Sequence, residues 1–77
     1  MNRKIVNELK RERRRLYPYG LPLQARGSGK TMLELSHMLR YLSYQIAIDA
    51  CKNSEREMTM DEARIVMGTF IDEMWPF

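Results

Sequence analysis

Positively charged side chains are concentrated in the first thirty of the 77 residues. That segment contains nine Lys or Arg and two acids, a net charge of +7, whereas residues 31–77 contain four Lys or Arg and eight acids, a net charge of −4. Six of the nine cations are arginine, whose guanidinium group can bind a phosphate through two hydrogen bonds. Charge segregated in this way is informative about partners rather than about the fold. It predicts that the N-terminal part of the chain binds a polyanion.

Eight of these cations form the predicted binding set, for a nucleic acid or for an acidic protein surface. They are Arg3, Lys4, Lys10, Arg11, Arg14, Arg15, Arg26 and Lys30. On a helical projection, the first six lie opposite a narrow apolar stripe. The stripe consists of Ile5, Val6, Leu9 and Leu16. A solvated surface helix without a partner is the alternative, and a membrane-surface helix is less favoured because the stripe lacks Trp and Phe.

The segment Gly27-Ser-Gly-Lys-Thr31 is similar to the end of a nucleotide-binding P-loop, but the rest of that motif is missing. The pattern Gly-x-x-x-x-Gly-Lys-Ser/Thr places its first glycine at position 24, which is Gln24. The residues before it make a poor strand, and the chain is too short for a doubly wound nucleotide hydrolase. Nucleotide hydrolysis is therefore not predicted.

Prolines and glycines predict a loop over residues 17–30. A weaker phosphate-binding interpretation stays open here, because exposed N–H groups at the start of the next helix lie close in sequence to Arg26 and Lys30. Tyr17 and Tyr19, at the start of the loop, have two interpretations. They either pack against the core or stack on nucleic-acid bases beside the arginines.

Residues suited to catalysis or to metal binding are sparse. The chain has one histidine and one cysteine, His37 and Cys51, so neither a zinc site nor a disulfide within the chain is predicted. Its two pairs of adjacent acids diverge by about 100° on a helix, which is typical of solvated faces. We expect no enzymatic activity, no cofactor and no small-molecule substrate. The single cysteine favours a cytoplasmic location, and the sequence contains neither a signal-peptide pattern nor a transmembrane segment, so no membrane partner is expected.

Apolar residues at helical spacing predict an all-α fold with helices near 2–17, 31–52 and 60–74. The last two are expected to form an antiparallel hairpin because the connection between them is short. The basic helix then lies across this hairpin, joined to it by the Pro/Gly loop. We expect one domain, with residues 1–30 as the basic helix plus loop and 31–77 as the hairpin.

Three polar positions predict where the helices begin. Asn2 is placed to cap the first helix. Thr31 with Glu34, and Thr59 with Glu62, have the spacing of a capping box, in which the two side chains each bind a backbone N–H of the other residue.

The central helix is apolar on two faces, so most of its surface must be covered. The first face, expected to be the main buried stripe, consists of Met32, Leu35, Met38, Leu39, Leu42, Ile46 and Ala50. The second face either packs against the basic helix or forms a homodimer seam or docking groove. This second face and the aromatic C-terminus supply the predicted partner or dimer interface. That interface consists of Tyr41, Tyr44, Ile48, Trp75 and Phe77. The alternative for the C-terminus is that it folds back over the core.

Three functions are compatible with these features. The leading hypothesis is a small non-enzymatic regulator that binds DNA or RNA through its basic helix and loop. The first alternative is a protein-interaction module, an adaptor or inhibitor whose basic face docks on an acidic surface of a target protein. The second alternative is a structural subunit of a larger assembly. A homodimer is slightly favoured, because a chain of this length buries only about 60% of its unfolded surface.

Overall fold

Three helices make up the fold, as seen in a computed structural model that describes residues 2–20 and 32–76. They are α1 (Arg3–Leu16), α2 (Met32–Asn53) and α3 (Met60–Met74). Helices α2 and α3 form the hairpin, and α1 packs against α2. The described residues contain no strand. The predicted all-α fold is confirmed, and each helix boundary agrees with the sequence-based prediction to within one residue.

The core lies where α1 and α3 both approach α2. Its buried side chains are Val6, Leu9, Tyr44, Ala47, Ile48, Cys51, Met58, Ala63 and Met67. Leu9, Ala47 and Ala63 have no solvent exposure at all. Two of these three are alanines, whose small side chains allow the α2 and α3 backbones to approach closely. Leu16 is 46% exposed, so the apolar stripe of α1 is shorter than predicted, because the helix extends beyond the core at its C-terminal end.

The buried side of α2 differs from the prediction. Leu39 is buried as expected, but Met32 is 56% and Ile46 is 40% exposed. The fully covered positions include Ser43 and Ala47, which lie between the two predicted faces. The reason is geometric: α1 and α3 approach α2 from directions that a helical projection of α2 alone does not contain. Across the described parts of the chain, no helix combines the length and the apolar character needed to cross a membrane.

Asn2 ties the start of α1 to the connection between α2 and α3. Its side-chain Nδ2 donates hydrogen bonds to the carbonyl oxygens of Cys51 (2.9 Å) and Arg56 (3.0 Å), and its Oδ1 accepts one from the N–H of Met58 (2.7 Å). The residue is 5% exposed. Asn2 occupies the predicted N-cap position, but its side chain makes no capping hydrogen bond. Its amide is used instead in these three contacts, which join segments about fifty residues apart in sequence.

We expect Asn2→Ala to lower the free energy of unfolding by about 1–3 kcal/mol, because it leaves a buried N–H and buried carbonyl groups without a partner. Urea unfolding followed by circular dichroism measures this loss. Asn7→Ala, at an exposed position of the same helix, is the matched control and should cost less than about 0.5 kcal/mol. Equal losses in the two variants would contradict the structural role of Asn2.

The predicted capping box at the start of α3 is confirmed. Thr59 Oγ1 accepts a hydrogen bond from the N–H of Glu62 (3.1 Å), and Glu62 Oε1 accepts one from the N–H of Thr59 (3.0 Å). Glu62 also forms an ion pair with Arg56, and this contact lowers the pKa of the carboxyl group. The other predicted box depends on Thr31, which lies outside the described residues.

Candidate nucleic-acid interface

Helix α1 carries its cations in two rows. Arg3, Lys10 and Arg14 are seven and four residues apart and form one row. The second row, about 100° away around the helix, consists of Lys4, Arg11 and Arg15. Five of these six residues are exposed, and Lys10 is half-buried. The cations therefore lie on the solvent side of α1, while Val6 and Leu9 face the core.

The first row borders an open groove between α1 and the C-terminal end of α2. Arg3, Asn7 and Lys10 line it from α1, and Lys52 lines it from α2. Lys52 was not part of the predicted binding set; it lies in the last turn of α2, where a cation also compensates the helix dipole. The structure therefore adds a cation from a second helix to the same groove.

A second cleft continues along the same side of α1. It is lined by Lys10, Arg13, Arg14, Tyr17, Pro18, Gly20 and Tyr41. Lys10 lines both depressions, so they adjoin each other along α1, and we call the two together the basic groove. Its five cations are Arg3, Lys10, Arg13, Arg14 and Lys52. Arg13, also absent from the predicted set, is identified only by this arrangement.

Three aromatic rings lie together at one end of the basic groove. The ring of Tyr17 makes edge-to-face contacts with Tyr41, at 5.6 Å between centroids, and with His37, at 6.3 Å. The Arg13 guanidinium lies 5.4 Å from the centre of the Tyr41 ring and donates a hydrogen bond to Gln45 Oε1 (2.6 Å). Burial raises the pKa of the Tyr17 phenol above its ordinary value. His37 is exposed and contacts Tyr17 by its ring.

Glu12 connects all three helices, a role that sequence reasoning missed. Its Oε1 accepts a hydrogen bond from the Tyr44 hydroxyl, and its Oε2 pairs with Arg64 of α3, both at 3.0 Å. The side chain of Glu12 is only 17% exposed. Burial, followed by the hydrogen bond to Glu12, raises the pKa of Tyr44. Glu12 lies about 160° around α1 from Arg14, so this carboxylate is directed away from the basic groove.

The predicted partner interface needs correction at two positions. Tyr44 is 5% and Ile48 is 1% exposed, because both belong to the core beneath α1. For these two residues the structure supports the alternative in which the second face of α2 packs within the chain. Tyr41 is half-buried in the basic groove, and Trp75 is half-buried after α3.

Three of the predicted site residues cannot be placed. Arg26 and Lys30 of the binding set and Phe77 of the interface lie outside the described residues. Within the parts of the chain that are described, no three His, Cys, Asp or Glu side chains are close enough together to hold a metal ion.

A second exposed surface lies between α2 and α3 and is apolar. It is lined by Ile46, Ile65, Val66, Thr69, Phe70 and Glu73. Ile65 is 68% exposed, which is high for a large aliphatic side chain. None of these residues belonged to the predicted sites.

Comparison with known proteins gives no further information about either surface. No protein-family model, no curated protein and no solved structure matches this chain.

Proposed function

We propose that this protein is a small, non-enzymatic cytoplasmic regulator that binds nucleic acid through α1 and the basic groove. The observation that carries the proposal is the clustering of Arg3, Lys10, Arg14 and Lys52 around one groove. These cations come from two helices, so the cluster is produced by folding and not only by a basic run in the sequence. Arginine and lysine side chains in such a cluster contact phosphate oxygens and release the counterions condensed on the nucleic acid.

The distribution of charge between the helices sets an orientation. Helix α1 contains seven Lys or Arg and two acids, a net charge of +5, whereas α3 contains four acids and one Arg, a net charge of −3. A phosphate backbone is attracted to α1 and repelled by the outer face of α3. The protein therefore approaches nucleic acid with α1 in front and with α3 turned away.

Contacts of this kind position a protein on the backbone without reading its sequence. The acidic α3 is unsuited to enter the major groove of DNA as a recognition helix. We therefore propose binding with little sequence preference.

The test is fluorescence anisotropy with labelled DNA and RNA at about 50 mM salt. Replacing Arg11, Arg14 and Arg15 together by Ala should weaken binding at least roughly tenfold, because three exposed phosphate contacts are removed. The same three positions changed to Lys provide the matched control. They keep the charge, so that variant should retain most of the affinity.

Thermal unfolding of both triple variants separates binding from folding. All three arginines are exposed, so neither variant should lose much stability. Absence of any binding by the unchanged protein at about 50 mM salt would refute the proposed function.

The alternative function is a protein-interaction module whose target protein contacts the apolar groove between α2 and α3. The specific observation in its favour is the apolar groove around Ile65, because exposed aliphatic side chains are more typical of protein interfaces than of nucleic-acid interfaces. This alternative predicts a stoichiometric complex with a protein that nucleic acid displaces only weakly. Ile65→Glu should then abolish complex formation, whereas nucleic-acid binding through α1 should be unchanged by it.

A further inference from the structure

We propose that the preferred ligand of the basic groove is single-stranded nucleic acid, with its backbone along the groove and a base stacked on the ring of Tyr17. This inference rests on the proposed function and names its substrate class. It is carried by the position of the aromatic cluster beside the cations that line the two adjoining depressions of the groove.

The shape of the surface favours one strand over two. The basic groove is a depression between α1 and α2, and Lys10 within it is half-buried. A single strand can enter such a depression. A duplex is a wide rod, so its phosphates contact the exposed edge of the groove and the outer row of α1. That outer row, Lys4, Arg11 and Arg15, is available to either ligand. Within the groove, Lys10 and Arg13 are half-buried and favour a single strand, whereas Arg3, Arg14 and Lys52 are exposed to either ligand, as the outer row is.

The aromatic cluster offers a stacking surface for unpaired bases, which a duplex does not use. Bases in a duplex are stacked on each other, while those of a single strand are free to stack on aromatic side chains. Tyr17 contacts two other rings, Tyr41 and His37, which hold it in a defined orientation beside the cleft. Arg13, over the Tyr41 ring, places a positive charge at the same end of the groove. The combination of rings and guanidinium is typical of sequence-tolerant binding of single strands.

The length of the surface sets the size of the ligand. From Arg3 to Tyr17 the chain advances fourteen positions, which corresponds to about 21 Å along a helix axis. At a stacked spacing of about 3.4 Å per nucleotide this accommodates about six nucleotides, and fewer if the strand is extended. Affinity for oligothymidine should therefore rise with length up to about six nucleotides. Beyond that length, the affinity of one protein molecule for one binding site on the strand should change little.

The decisive comparison uses a labelled single strand of about 20 nucleotides and its duplex with a complementary strand, at one salt concentration. Tyr17→Leu should weaken single-strand binding roughly tenfold and duplex binding less than about twofold. Tyr19→Leu is the matched control: this side chain is 99% exposed, two positions further along the chain and outside the ring contacts, and its replacement should have little effect on either ligand.

A conservative variant separates the ring of Tyr17 from its hydroxyl. Tyr17→Phe keeps the ring and removes only the hydroxyl, so it should retain single-strand affinity. A loss of affinity in this variant would show that the hydroxyl, and not stacking on the ring, accounts for the binding. Circular dichroism on all variants verifies that the helices are intact.

The outcomes separate the two proposals. Failure of both ligands to bind would overturn the proposed function itself. Equal affinity for both ligands, with Tyr17→Leu lowering both or neither, would leave the function standing and overturn the single-strand inference. Stronger single-strand binding that depends on the ring of Tyr17, with duplex binding unaffected, would support it.

Discussion

Raising the salt concentration from about 50 to 200 mM should weaken single-strand binding roughly 100- to 1000-fold. The logarithm of the affinity falls by about 0.7 per neutralised phosphate for each tenfold increase in salt. Five cations line the basic groove, and the three of the outer row of α1 are also exposed. Neutralisation of about five to seven phosphates gives the expected range. Anisotropy titrations at several salt concentrations measure the slope.

The arginine variants make this prediction quantitative. Removing Arg11, Arg14 and Arg15 should reduce the slope by about two, whereas the triple lysine variant should retain it. Circular dichroism across the same salt range verifies that the fold does not change. A salt dependence that is flat, or equal in the alanine variant and the unchanged protein, would show that these arginines do not contact phosphate.

Leu9→Ala should lower the free energy of unfolding by about 2–5 kcal/mol. Leu9 has no solvent exposure and is among the largest fully buried side chains of the core, so its truncation leaves a cavity between α1 and α2. A domain of this size is stabilised by only about 4–12 kcal/mol in total. The loss is therefore a large part of the stability of the whole chain, and urea unfolding should show a much lower midpoint.

Leu16→Ala is the matched control, since it makes the same chemical change in the same helix at a position that is 46% exposed. It should cost less than about 1 kcal/mol, because an exposed leucine loses few packing contacts. If both variants lost the same stability, α1 would not be packed against α2 through Leu9. The basic groove, which needs both helices, would then not form as described.

Features that depend on nearby residues were predictable from the sequence. The three helices follow from apolar periodicity, and the start of α3 follows from the local pairing of Thr59 with Glu62. The exposure of Arg11, Arg14 and Arg15 follows from their place opposite the apolar stripe of α1. These predictions succeed because a helix, its capping residues and its polar face are determined within a few turns of chain.

Contacts between distant segments were decided by the tertiary structure alone. Asn2 looks like a helix cap in sequence, but it binds the connection between α2 and α3. Glu12 has a cation within reach along its own helix, yet it pairs with Arg64, 52 residues away. Lys52 joins the basic groove only because α1 lies beside the end of α2.

The same distinction explains why Tyr44 is part of the core and Tyr41 lines the groove. The two tyrosines lie three positions apart on α2 and share a face in projection, but α1 covers one of them more completely. Sequence periodicity determines which residues share a face of a helix. Which part of that face meets a neighbouring helix depends on the crossing angle and the relative rotation of the two helices, and these are set by packing across the whole core.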